Sequence, residues 1–248
     1  MSYNPPSGFF VLPPVVKNIL IINVLVFLAI KISLFGIGDF ILDNFASYYF
    51  ASPKFKIWQL ITYAFTHKSF GHLFFNMFAV FMFGNLLENY LGSKRFLQYY
   101  VICAVGAIIL EYLTTAITVY NITGTFLPSE LRELNLFDNN WQMSLVGHYG
   151  IDDATGLIKA YLVPTIGASG AVFGLLLAFG WLFPNMLVYI YFLFPVKAKY
   201  FVIVYGLIEI WSLISKGTSD GVAHYAHLGG ILVGFIMLKI WKVPRNMY

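Results

Sequence analysis

The sequence predicts an all-α polytopic membrane protein, a bundle of six transmembrane helices with an extra outward-facing insertion between helices 3 and 4. Three observations lead to this class. Of 248 residues, 59% are hydrophobic and only 10% charged, with a mean hydropathy of +0.76. A soluble domain carries roughly a quarter charged residues, enough to cover its surface. The apolar residues also gather into stretches close to the roughly 20 residues that a helix needs to cross the hydrocarbon core. A single mixed segment, 118–163, interrupts them.

By that length criterion the six spans fall near 18–36, 70–90, 95–117, 166–183, 199–215 and 222–241. The opening "MSYNPPSGFFVLPPVVKN" has no basic n-region and several prolines, so the first span is expected to act as an uncleaved signal. The fourth span begins beside Pro164, a residue suited to the first turn of a helix. "MLVYIYFLFPV" (186–196) lies between Pro184 and Pro195 and is too short to span, which makes it an interfacial or packed connector. Segment 118–163 holds Gly, Asn, Asp and a short helical pattern around "LPSELRELNLF". It reads as a small outer cap, since long structureless loops are uncommon in compact folds. The whole chain, 1–248, reads as one membrane domain with a core of about 15–117 and 164–241.

Lys and Arg concentrate on cytoplasmic flanks. Lys17, Lys94, Arg95, Lys197, Lys199, Lys239, Lys242 and Arg245 sit in short loops or tails on one side, so both termini are expected in the cytoplasm. The net charge of +4 contains no basic run of the kind that binds nucleic acid, which excludes that class of partner. One cysteine, Cys103, leaves no intramolecular disulfide to form.

Polar groups at membrane depth cost roughly 2.5–3.5 kcal/mol per charge even on the lenient insertion scale, so each is a candidate for function. They are Lys31, His72, Asn76, Glu88, Glu111, Ser169, Glu209, His224 and His227. Lys31 and Glu88 lie near span ends and can snorkel. Glu111 and Glu209 read as helix-packing residues. His72 and Asn76 are four apart and share one helix face, either as an interhelical hydrogen-bonded pair or as two donors aimed at one point. Ser169 lies between Gly167 and Gly170. Gly170 and Gly174 form a small-residue face, and Gly230 and Gly234 form a matching one on the last span, so the two helices can approach closely. That seam carries Ser169 toward His227, one turn from Gly230, with His224 a turn nearer the surface. An H-x-x-H metal site at these histidines lacks the glutamate of H-E-x-x-H and any nearby Cys or Asp, so neither metal nor other cofactor is expected.

"WQLITYAFTHKSFGHLFFNM", "FGNLLENYLGSKRFLQYY", "GASGAVFG" and "AHLGGILVG", in this order, resemble the rhomboid family of intramembrane serine proteases. The resemblance covers the six-helix core. It implies a catalytic Ser169–His227 dyad, the histidine being chosen by A-H-x-x-G-x-x-x-G, with His224 outside it. It also implies an oxyanion hole of His72, Asn76 and the backbone N–H of Ser169. Gly167, Gly170, Gly230 and Gly234 would support the close approach, and Phe173 would stack beneath the histidine where a tyrosine is often found. Glu88, Gly92 and Arg95 fit the family's E-x-x-x-G-x-x-R stretch. Trp58-Gln59 departs from a frequent Trp-Arg, which leaves the holding of the first outer loop in question. No third acid is apparent near His227, so packing is expected to orient the ring.

The activity so implied is serine endopeptidase cleavage of peptide bonds in or near transmembrane segments. The partners are transmembrane protein substrates and the lipid bilayer. The fifth span and the loop at 216–222 are the natural entrance, and the active site opens to the outer side. A rhomboid-like client binder should lack the serine or histidine, and a transporter should show an internal repeat; the sequence fits neither. Six bare spans with short tails suit a bacterial plasma membrane.

Overall fold

The computed structural model describes residues 12–32, 36–128, 131, 141–190, 193–216 and 222–245. They form ten helices in chain order together with one pair of β-strands. Helix α1 (Pro14–Ile32) is followed by the short α2 (Ile37–Phe45) and α3 (Gln59–Thr62). Then come α4 (Phe70–Leu91) and α5 (Ser93–Thr123). Helices α6 (Trp141–Tyr149) and α7 (Ile151–Leu162) precede α8 (Ser169–Leu182). Strands β1 (Leu187–Ile190) and β2 (Phe194–Lys197) pair antiparallel before α9 (Ala198–Lys216) and α10 (His224–Ile240).

The protein is thus mostly helical, and α1, α4, α5 and α9 are long and apolar enough to cross a membrane. α8 and α10 are apolar but shorter. Large apolar side chains such as Leu25, Phe75, Leu113, Trp211 and Ile214 stay exposed on the outside of the bundle, as expected of a lipid-facing surface.

Several boundaries differ from the sequence reading. α1 starts at Pro14 rather than near 18 because Glu88 caps it: its two carboxylate oxygens accept from the N–H groups of Val15 (3.0 Å) and Val16 (2.8 Å). Those N–H groups have no partner within the helix, and the positive end of the helix dipole favours an acid there. Glu88 therefore does not snorkel. It is 2% exposed, and one of its oxygens also accepts from Ser93 Oγ at 2.7 Å. α5 runs on to Thr123, past the expected end at 117, and stops where Gly124 adopts a φ of 73°. The connector expected at 186–196 contributes an antiparallel strand pair, β1 with β2, a small departure from an all-α chain. Within 118–163, α6 and α7 account for the latter part, and α7 buries Ala154, Leu157 and Tyr161. Of the helical pattern "LPSELRELNLF", residues 129–130 and 132–137 lie outside the described residues, as do 217–221 of the expected entrance loop.

The centre of the bundle is α8. Eleven of its fourteen residues are buried, and α10 packs on both α8 and α5. The seam is set by missing side chains. A Cβ on Gly230 would collide with the carbonyl oxygen of Gly170, and one on Gly174 would lie 2.5 Å from Cys103 Sγ. Gly234 faces the hydroxyl of Tyr99 on α5 rather than α8. That hydroxyl donates to the Gly174 carbonyl at 2.9 Å.

Candidate active site

The segment that leads into α8 is held by backbone bonds. Ser47 and Thr165 exchange a pair (2.9 and 2.8 Å), and the Gly167 N–H donates to the Tyr63 carbonyl at 2.9 Å. Tyr63 is fully buried and anchored by its own hydroxyl, which donates to the Ala104 carbonyl at 2.7 Å. Gly167 has a φ of 109°, a region that L side chains rarely adopt. A Cβ there would also sit 2.5 Å from His72 Nε2. Both facts require glycine, and together they bring the His72 ring against the turn that precedes Ser169.

Ser169 is the first residue of α8, and its Oγ lies 2.8 Å from His227 Nε2. One face of the imidazole is backed by Phe173, whose ring stacks on it with centroids 4.2 Å apart and an interplanar angle of 15°. Phe173 comes one turn after Ser169 on the same helix, so one rigid element carries both the hydroxyl and the support of the ring. Asn76 is buried one turn after His72, and its Nδ2 is 3.6 Å from the Gly167 Cβ position. The structure therefore brings together Ser169, His227, His72, Asn76, Gly167, Phe173 and the Gly170–Gly230 contact, whereas Gly234 stands off on the α5 side.

Two side chains in this cluster were not assigned to it from the sequence. His67 is fully buried with its Nε2 3.1 Å from Asn76 Nδ2, so it accepts from the amide and fixes its orientation. Burial, aided by the neighbouring His72, pulls the His67 imidazole down to about 3, which keeps it neutral and able to accept. The second is Glu209 on α9, which corrects the expectation that no acid stands near His227. Its Oε1 contacts Nδ1 of His227 and lies 2.7 Å from Nδ1 of His224. All three residues are at least nine-tenths buried. The reading of Glu209 as an ordinary packing residue is likewise replaced. Glu111 on α5 faces the backbone of Ala226, at the first turn of α10.

Glu209, His224 and His227 bring three ligand atoms within 4.8 Å of one another, and among the described residues this is the set able to hold a metal. The adjacent carboxylate that the sequence pattern lacked is supplied by a different helix. The observed separations, however, are those of direct hydrogen bonds to one carboxylate oxygen.

Gln59 also finds a definite place. It is fully buried, and its Oε1 accepts from the N–H groups of Tyr48 (3.3 Å) and Lys56 (3.1 Å) while its Nε2 donates to the Lys54 carbonyl at 3.1 Å. The amide thus pins the loop between α2 and α3 from within. Arg95 of the E-x-x-x-G-x-x-R stretch is exposed.

Fold and site together define a helical membrane protein with a serine and a histidine in contact where two close-packed apolar helices begin. The rhomboid domain model matches residues 54–242, most of the chain, and the protein belongs to the rhomboid family. It is 27% identical over 188 residues to "Rhomboid protein 1, mitochondrial" of Saccharomyces cerevisiae, a match covering 75% of this chain and 42% of that protein. It is 27% identical over 201 residues to "RHOMBOID-like protein 12, mitochondrial" of Arabidopsis thaliana, covering 79% and 47%. An uncharacterized mitochondrial rhomboid protein of Schizosaccharomyces pombe is 25% identical over 213 residues, covering 77% and 53%. The chain spans about half the length of these curated relatives. Their mitochondrial names do not fit the bacterial plasma membrane expected from the sequence.

Proposed function

We propose that this protein is an intramembrane serine endopeptidase acting on transmembrane protein substrates, with Ser169 as nucleophile and His227 as general base. The observation that carries the reading is the 2.8 Å contact between Ser169 Oγ and His227 Nε2, with the ring held by Phe173. A serine hydroxyl attacks only when a base takes its proton. In the proposed reaction His227 Nε2 accepts the Oγ proton as Oγ bonds to the scissile carbonyl carbon. The oxyanion is met by His72, Asn76 and the Ser169 N–H. His227 then returns the proton to the leaving amine as the C–N bond breaks. Water, deprotonated by the same imidazole, releases the new carboxyl group and restores Ser169.

The proposed setting is a single membrane domain of six crossing segments, in which α8 and α10 join the four longer helices and both termini lie on one side. α8 has 14 residues and so rises about 21 Å, short of the roughly 30 Å hydrocarbon core. Its first residue, Ser169, would then lie below one membrane surface, reached by water from the loop side. A transmembrane helix hides its carbonyls in its own hydrogen bonds, so substrates need a helix-weakened stretch near that surface. By family resemblance a small residue precedes the cut.

The test is cleavage of a model transmembrane substrate by purified protein in liposomes, together with labelling by a fluorophosphonate probe. Cleavage and labelling lost in Ser169→Ala, cleavage lost in His227→Ala and kept in His224→Ala is the expected result. Wild-type protein that neither cleaves any of a panel of substrates nor takes the probe at Ser169 overturns the reading.

A further inference from the structure

We propose that Glu209 is a positioning residue of the cleavage reaction, holding the imidazoles of His227 and His224 on a single carboxylate oxygen; this rests on the protease reading above. An ionised carboxylate can only accept hydrogen bonds. With Oε1 against both Nδ1 atoms, each Nδ1 must carry its proton. The lone pair of His227 is therefore on Nε2, the nitrogen that faces Ser169 Oγ. Phe173 restrains the plane of the ring but cannot choose its tautomer or its rotation about that plane, because a stacked hydrocarbon ring presents no acceptor. Glu209 does both, and its charge compensates the imidazolium that forms when the serine proton moves to Nε2. The Nδ1 proton stays on His227 throughout.

The groups that face this cluster come from every packed element. His227 meets Ser169 and Phe173 from α8, Glu209 from α9 and, across the site, His72 from α4. His224 meets Glu209 and, from α5, Glu111, which in turn feels Lys159 of α7. Glu209 is the one of these that contacts Nδ1 of both histidines. It stands on α9, the least buried of the four long apolar helices: 11% of its apolar stretch is buried, against 28–33% for α1, α4 and α5. A buried ionisable group on an otherwise lipid-exposed helix is costly, and here its partners are the site histidines. The base thereby depends on α9 lying against α10.

Two volume-preserving variants, Glu209→Gln and Glu209→Met, test this in the full-length protein in liposomes. Cleavage kinetics are read per folded molecule, with the folded fraction taken from thermal melts. The expected result is a kcat lowered at least about tenfold, toward the roughly 10⁴-fold that loss of the orienting carboxylate can reach in a serine–histidine system, with KM unchanged. The larger loss is expected for Met, which offers Nδ1 no oxygen acceptor. Fluorophosphonate labelling of Ser169 should slow in parallel. A kcat per folded molecule within about threefold of wild type in both variants, or a rise in KM with kcat unchanged, overturns the proposal while leaving the protease reading intact. Absence of cleavage and labelling in the wild type defeats that reading instead. Activity abolished by a chelator and restored by zinc would also overturn the proposal, since the three donors would then be serving a metal.

Discussion

Replacing Gly230 with alanine tests the geometry at its tightest point. The added Cβ would lie 2.8 Å from the carbonyl carbon of Gly170 and closer still to its oxygen, where ordinary contact begins at 3.4 Å. Both atoms belong to helix backbone, so no side chain can swing aside, and α8 and α10 must part by about 1 Å or more. Overpacking of this kind costs about 1–3 kcal/mol of stability. The functional cost is larger. Ser169 and His227 sit on opposite sides of this contact with Oγ and Nε2 2.8 Å apart, and a displacement of about 1 Å from productive geometry can cost 10²-fold in rate. Gly230→Ala is expected to lose about 100-fold in cleavage and in probe labelling, with a lowered melting temperature. Gly206→Ala on α9 is the control, because its Cβ would meet no atom within 4 Å. A Gly230→Ala protein that matches wild type in rate and melting temperature would refute the close-packed seam as the determinant of the serine–histidine distance.

Other outcomes follow from single contacts. Gln59→Ala removes a fully buried amide and strands the N–H groups of Tyr48 and Lys56 and the Lys54 carbonyl. Only the Tyr48 bond is fully buried and the other two are part-buried, so at about 1–3 kcal/mol for a buried group left unsatisfied a loss of about 1–3 kcal/mol is expected in denaturant unfolding. Asn76→Ala should lower kcat by about 10²–10³ with KM little changed, as for removal of one oxyanion donor; an equal loss of substrate binding in single-turnover kinetics would argue against that role. Phe173→Ala should slow cleavage and Phe173→Tyr should retain it, since either aromatic ring can stack on His227; equal rates for Ala and Tyr would remove the stack from the mechanism. Burial holds His67 at about 3 in the folded protein against an ordinary value near 6.5. Below that ordinary value the unfolded chain takes up a proton that the folded one does not. Stability from this group is complete above about pH 6.5 and falls by about 1.4 kcal/mol per pH unit toward pH 3. Melting temperatures across this range should fall less steeply in His67→Gln, which still offers Asn76 an acceptor and does not titrate.

What the sequence by itself determined was whatever depends on local spacing. Apolar run length marked the four helices long and apolar enough to cross a membrane, and the four-residue interval placed His72 and Asn76 on one face. The Gly170–Gly174 and Gly230–Gly234 intervals announced a close helix contact, although Gly234 turned out to serve the α5 side. The order of four short motifs singled out Ser169 and His227 before any distance was known. Only the tertiary structure decided which distant side chains meet. Glu88 reaches back more than seventy residues to cap α1. Gln59 holds the loop between α2 and α3, a role that its identity alone left in question. His67, a histidine in an ordinary-looking loop, becomes the acceptor that sets Asn76. Glu209 is fifteen and eighteen residues from its histidines, on the preceding helix. Helical periodicity fixes which residues share a face, but not the rotation of one helix against the next. That rotation is set where the glycine faces let α8 and α10 touch and α9 settles beside them, and it is what turns an isolated acid in an apolar helix into the partner of His227 and His224.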